Sequence, residues 1–248
     1  MSRHGWLACC LVVFGVAAQT VPPRVLDPQQ KVGGITQSEY AELWWQWAMR
    51  LPDGVRAYQD PSGAQCGMNQ SGPVWFLAGT EGTMRVNRRC DVPSGRFIFF
   101  PVIGMNVHAR PGKPIDCRTA MARARDNNDK LVEASVMLDG QAIQRIGLHR
   151  IRSAHCFDAY AKAKYLEHHE AYVPAASDGY WIMLGPLSDG IHHLVVHARY
   201  DNAGKPLGDL EQSFEYELHV APDNQPSSRP SLPPAPEPPL SREGLIST

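Results

Sequence analysis

Ile191-His192-His193-Leu194-Val195-Val196-His197-Ala198-Arg199-Tyr200 is the stretch that decides the fold class. Successive side chains of an extended chain point to opposite faces, so Leu194, Val196, Ala198 and Tyr200 share one side and His193, Val195, His197 and Arg199 the other. Phe214 to Val220 repeats the pattern: Phe214, Tyr216, Leu218 and Val220 form an apolar face, and Glu215, Glu217 and His219 a polar one. Joined across Asp201 to Glu211, the two stretches predict a hairpin with one face in a core and the other toward water.

Working outward, Val74 to Ala78, Phe97 to Ile103, Leu131 to Leu138 and Tyr180 to Leu184 read as further strands, each bounded by Gly, Pro, Asn or Asp. Asp139-Gly140 is a two-residue hairpin signal. One helix is well marked: Thr36 and Glu39 have capping-box spacing, and Tyr40, Leu43, Trp44, Trp47 and Leu51 recur at helical spacing until Pro52-Asp53-Gly54. Burying that stripe contributes about 2 kcal/mol per large side chain, enough to pin the helix across a sheet. A second helix is expected from the cap Asp116 to about Arg125, ended by Asp126-Asn127-Asn128-Asp129. Many short strands with little helix–strand alternation predict a mainly β fold, an antiparallel β-sandwich with an N-terminal amphipathic helix and one further short helix.

The ends read differently from the middle. Ser2-Arg3-His4, the apolar run Leu7 to Ala18 and the small residues Val16-Ala17-Ala18 give residues 1–18 the order of an export signal. That run is too short to span a bilayer, so no stable membrane insertion is expected. From Pro222 onward, seven further prolines among Ser, Glu and Arg leave too little apolar surface to offset ordering entropy, and 222–248 is expected to be a disordered Pro-rich tail. A single domain over 22–221 remains. The 248 residues carry a formal charge of −1, so no global field draws the chain to nucleic acid.

Cys66, Cys90, Cys117 and Cys156 remain once Cys9 and Cys10 are assigned to the export signal. In an oxidising compartment, secreted or periplasmic, they are candidates for two disulfides. Four cysteines allow three pairings; Cys66 with Cys90 and Cys117 with Cys156 is favoured because it closes modest loops. There is no CxxC pair, which argues against a closed zinc site.

The blocks Cys66-Gly67-Met68-Asn69-Gln70-Ser71-Gly72-Pro73-Val74-Trp75-Phe76-Leu77-Ala78-Gly79-Thr80, Arg89-Cys90-Asp91-Val92-Pro93-Ser94-Gly95 and Asp178-Gly179-Tyr180-Trp181 resemble a family of exported proteins of unknown function. Trp44-Trp45-Gln46-Trp47 and Leu184-Gly185-Pro186-Leu187 extend the resemblance over most of the expected domain. It implies a shared exported fold in which Cys66 and Cys90 pair, and it brings no catalytic residues with it.

No GxSxG, HExxH, P-loop or GxGxxG motif is present, so serine hydrolase, zincin and nucleotide-binding readings lack their local signatures. The polar faces of the hairpin bring His193 and His197 toward Glu215, Glu217 and His219, a candidate divalent-metal set. His193 and His197 lie roughly 13 Å apart by strand rise, too far to share one ion on a straight strand. No cofactor is otherwise expected. Trp45, off the centre of the helical stripe, with Trp75 and Trp181, is a candidate ligand groove. Two functions follow: a non-enzymatic binding domain for a glycan or cell-envelope protein, or a secreted hydrolase of an envelope or extracellular polymer. The hydrolase needs two converging titratable groups; Asp91, Asp178 and Glu211 are eligible by type.

Overall fold

Thr36 caps the first helix, α1 (Gln37–Ala48): the Glu39 N–H donates to its hydroxyl at 3.2 Å, and the Thr36 N–H donates to the Glu39 carboxylate at 2.8 Å. The computed structural model describes residues 24–82, 85–201 and 210–223. The expected export signal, residues 1–18, and nearly all of the Pro-rich segment lie outside the described residues.

After α1 come β1 (Val74–Phe76), β2 (Arg85–Pro93) and β3 (Phe97–His108), then α2 (Cys117–Asn128). The remainder is β4 (Leu131–Leu138), β5 (Gln141–Ala142), β6 (Arg150–Arg152), β7 (Ala175–Leu184), β8 (Gly190–Tyr200) and β9 (Glu211–Ala221). They form a four-stranded sheet in the order β1-β3-β7-β6 and a five-stranded sheet in the order β2-β9-β8-β4-β5. The fold is therefore mainly β with two helices.

The expectation of purely antiparallel sheets is corrected. β1 pairs with β3 in parallel, and β2 pairs with β9 in parallel, so both sheets are mixed. The chain visits the five-stranded sheet as β2 between β1 and β3, and so re-enters the first sheet beside β1 in the same direction. The hairpin predicted from alternation is present: β8 and β9 pair antiparallel with His193 opposite Glu217 and Leu194 opposite Tyr216. At the β4–β5 turn Asp139 and Gly140 have φ of 51° and 75°, the doubly positive geometry of a tight hairpin turn.

Alternation also explains the core. Ile98, Phe100 and Ile182 of the four-stranded sheet share one buried cluster with Leu194, Val196, Phe214 and Leu218 of the five-stranded sheet. Phe99, Trp181 and Met183, on the opposite face, form a second cluster with Tyr40, Trp44 and Trp47 of α1. β7 thus has an apolar layer on each side and is buried along its whole length. Disulfides join Cys66 to Cys90 and Cys117 to Cys156, the favoured pairing. With loops of 24 and 39 residues, each restrains the unfolded chain by about 3–4 kcal/mol on loop-closure entropy. Two disulfides in a β-rich fold suit a stable extracellular domain, and among the described residues no helix is long and apolar enough to cross a membrane.

Candidate functional site

β3 runs five residues beyond the expected end at Ile103, and that extension builds a cavity. A register shift between Pro101 and Ile103 resets the faces of the strand. Beyond it, Gly104, Asn106 and His108 fall at alternate positions and all line a cavity of ≈ 360 Å³. Gly104 stands opposite Gly179 of β7. A Cβ on Gly179 would sit 2.7 Å from the Gly104 Cα and 2.9 Å from Trp181 Nε1, so only glycine admits this close approach.

Helix α1 supplies the aromatic wall. Trp44 and Trp45 both line the cavity, with Met49 just beyond the helix end. Their polar edges are occupied: Trp44 Nε1 donates to the Leu77 carbonyl at 2.9 Å, and Trp45 Nε1 donates to Ser177 Oγ at 2.8 Å. Trp44 is buried, so what the pair offers a ligand is the ring surface of the half-buried Trp45. The two indoles meet at an interplanar angle of 87°, so they form a corner and not a slot.

The opposite wall is Gly79-Thr80-Glu81 with Gln212 of β9 and Tyr58. Gln212 clamps it, accepting from the Thr80 N–H at 2.7 Å and donating to the Thr80 carbonyl at 2.6 Å. Behind this wall lies Arg88 of β2, 1% exposed. Its guanidinium donates to the carbonyls of Asp60, Ala78, Gly79 and Tyr58 at 2.7–3.2 Å and to the Tyr216 hydroxyl at 3.1 Å. No carboxylate lies within ion-pairing distance of it among the described residues; backbone carbonyls and the Tyr216 ring, 5.6 Å from Cζ, take up the charge. Arg88 is thus the bolt that fixes three wall segments relative to one another.

The cavity has little charge of its own. Burial holds the His108 imidazole below its ordinary value of 6.5, against the opposing pull of a hydrogen bond to Ala109. Its Nδ1 lies 2.6 Å from the Ala109 carbonyl, which can only accept, so Nδ1 carries the proton and Nε2 faces the Tyr160 hydroxyl at 3.5 Å. Burial also raises Tyr58 and places Tyr200 well above the ordinary phenol range. Glu81, exposed and bonded by Gln59 at 3.1 Å, is the lining carboxylate. Asn106 stands apart from all of these: both polar atoms of its carboxamide are buried, and no group among the described residues pairs with either.

The residues singled out from sequence do not converge here. Trp45 lines the cavity, but Trp181 is 0% exposed and stacks on Phe99, and Trp75 is buried with Nε1 toward Cys90 Sγ at 3.4 Å. The histidines lie on the outer face of the five-stranded sheet. His219 bonds Glu217, His193 stands opposite Glu217, and His197 lies 3.6 and 3.7 Å from Glu133 and Glu211. Glu215 stands opposite Val195. Among the described residues no group of three His, Cys, Asp or Glu is arranged to hold a metal ion. Of the candidate acids, Asp178 is buried against Arg150 at 2.8 Å. Asp91 aligns with His219, eight residues along β9 from Glu211 and so roughly 26 Å away by strand rise.

Asn106, His108, Gln212 and Arg88 were not legible as site residues. The available signal was the alternation Gly104–Asn106–His108, which Gly and Asn disguise as the end of a strand. Compared with protein-family models, curated proteins and solved structures, the chain matches none.

Proposed function

We propose that this chain is an exported, non-enzymatic binding protein, a β-sandwich whose cavity takes a small glycan. The observation that carries this reading is the cavity itself: ≈ 360 Å³, with Trp44, Trp45, Tyr58 and Tyr200 in its lining. That volume lies within the range of small-molecule sites, and an apolar wall with few polar groups is their usual composition. The export-signal order of residues 1–18, the two disulfides and the resemblance to exported proteins support the compartment.

Binding is favoured over hydrolysis by how the lining groups are engaged. Thr80 Oγ1 donates to Gln212 and accepts from the Gly82 N–H, so it has no base to activate it. His108 donates to the adjacent backbone carbonyl and bonds no carboxylate. A concave site of this volume also favours a saccharide over the surface of a cell-envelope protein. The test is a glycan array probed with the full chain, followed by tryptophan fluorescence titration of each hit. A saturable change with at least one saccharide is expected. An array without a hit, and emission unmoved by added saccharides, overturns the reading.

A further inference from the structure

A cavity whose polar groups are bonded to one another selects a ligand by the charge it presents. Among the residues that line this one, Glu81 is the only side chain that carries a charge, because burial holds His108 neutral and the others are aromatic, aliphatic, hydroxyl or amide groups. Those hydroxyls and the Gln212 amide are engaged: Thr80 and Gln212 bond each other, Tyr58 accepts from Arg56 at 2.8 Å and Tyr200 donates to Asn128. Glu81 is exposed and takes one donor, the Gln59 amide at 3.1 Å, where a carboxylate has roughly four acceptor sites. We infer that the cavity takes a saccharide with a free amine, an amino sugar in its ammonium form, and that Glu81 is the residue that selects the amine; this rests on the cavity being the binding site for a small glycan.

Three observations set the sign of the ligand's charge. First, the cations nearest the cavity are engaged elsewhere. Arg88 is 1% exposed and gives its N–H groups to carbonyls and to Tyr216. Arg56 donates to the Leu51 carbonyl and the Tyr58 hydroxyl and pairs with Asp53 at 3.2 Å. Arg110, which also acts on His108, is exposed and is not part of the lining. Among the described residues, then, a uronate or sulfated ring would meet a carboxylate and no lining cation. Second, the face of an indole is the negative part of its quadrupole and attracts an ammonium. Arg56 already lies over Tyr58, 5.9 Å from the ring centroid, which leaves Trp45 as the open aromatic wall. Third, an ammonium has three donors and no acceptor, the complement of a carboxylate, which only accepts. Acetylation removes that charge and leaves a single N–H.

The test is calorimetric titration at about pH 7, where such an amine is protonated, of the methyl glycosides of glucosamine, galactosamine and mannosamine, of their N-acetyl forms and of the parent hexoses. Each is titrated into the full chain and its Glu81→Gln variant. The wild type is expected to hold at least one amine at least about fivefold more tightly than its N-acetyl and hydroxyl counterparts, the scale of an exposed ion pair with an aromatic face beside it. Glu81→Gln should remove that preference and leave the neutral forms bound as by the wild type. Raising the salt to about 1 M should shrink the preference in the wild type by screening. Equal or tighter binding of the neutral forms overturns the inference while leaving the cavity reading intact, as does a preference that survives Glu81→Gln or high salt. Binding of none of the sugars removes the cavity reading and the inference with it. Should the variant lose its near-UV circular dichroism, the wild-type salt series decides alone, since it needs no substitution.

Discussion

On the outer face of the five-stranded sheet His219 sits against Glu217 and His197 lies between Glu133 and Glu211, each beside water; the cavity wall is held by the buried Arg88 and Gln212. The outer face is the richer in chemistry by residue type, and it drew the metal hypothesis. Yet exposed groups that satisfy one another are what a solvated sheet face requires, and such pairs contribute little. Buried polar groups are costly unless bonded, and Arg88 and Gln212 spend their hydrogen bonds on holding the wall of a cavity. The difference teaches that burial and satisfaction, more than residue type, locate a site.

The comparison breaks first at Arg88, a buried cation that is fully satisfied. Arg88→Met strands the carbonyls of Tyr58, Asp60 and Gly79 and loosens the cavity wall, and a loss of about 3–5 kcal/mol is expected in urea unfolding. A loss below about 1 kcal/mol would show that the wall stands without it. Trp45→Phe keeps an aromatic face but deletes the bond to Ser177, and about 1–2 kcal/mol should go while sugar binding is retained.

Acid sharpens the contrast. His108, held by burial below 6.5, resists protonation in the folded chain, while the unfolded chain takes up its proton at ordinary pH. The unfolded state then binds more protons, so stability falls as pH drops through 6.5 toward the lower folded value and is constant below it. His149 acts in the same sense; Glu42 and Asp178, raised by burial, act in the opposite one. Chemical unfolding between about pH 7.5 and 5 should therefore show a decline that His108→Gln makes shallower. An unchanged slope would mean that His108 titrates freely. On the outer face, His193→Ala and His197→Ala should each move stability by no more than about 0.5 kcal/mol, as exposed pairs do. A shift of several kcal/mol at either would restore that face as a functional candidate.

The hairpin of β8 and β9 was readable because its alternation is unbroken, and the capping box of α1 because it is local. β2 alternates as regularly but places Arg88 on the buried face, so a guanidinium stands where the pattern needs an apolar side chain. β6, with three residues, is held by pairing to β7 and has no signal of its own. The cavity was hidden for a different reason. Trp45, Thr80, Asn106 and Gln212 are brought together only by the sheet pairing, and no local pattern links them. Trp45 alone stood out, by lying off the helical stripe.

The central claim is that the cavity beside Trp45 takes a small glycan. Tryptophan fluorescence titration of the full chain and its Trp45→Ala variant with saccharides tests it most directly. The account predicts a saturable change with at least one saccharide that Trp45→Ala weakens or abolishes. Emission unmoved by every saccharide, or binding that Trp45→Ala leaves unchanged, would contradict it.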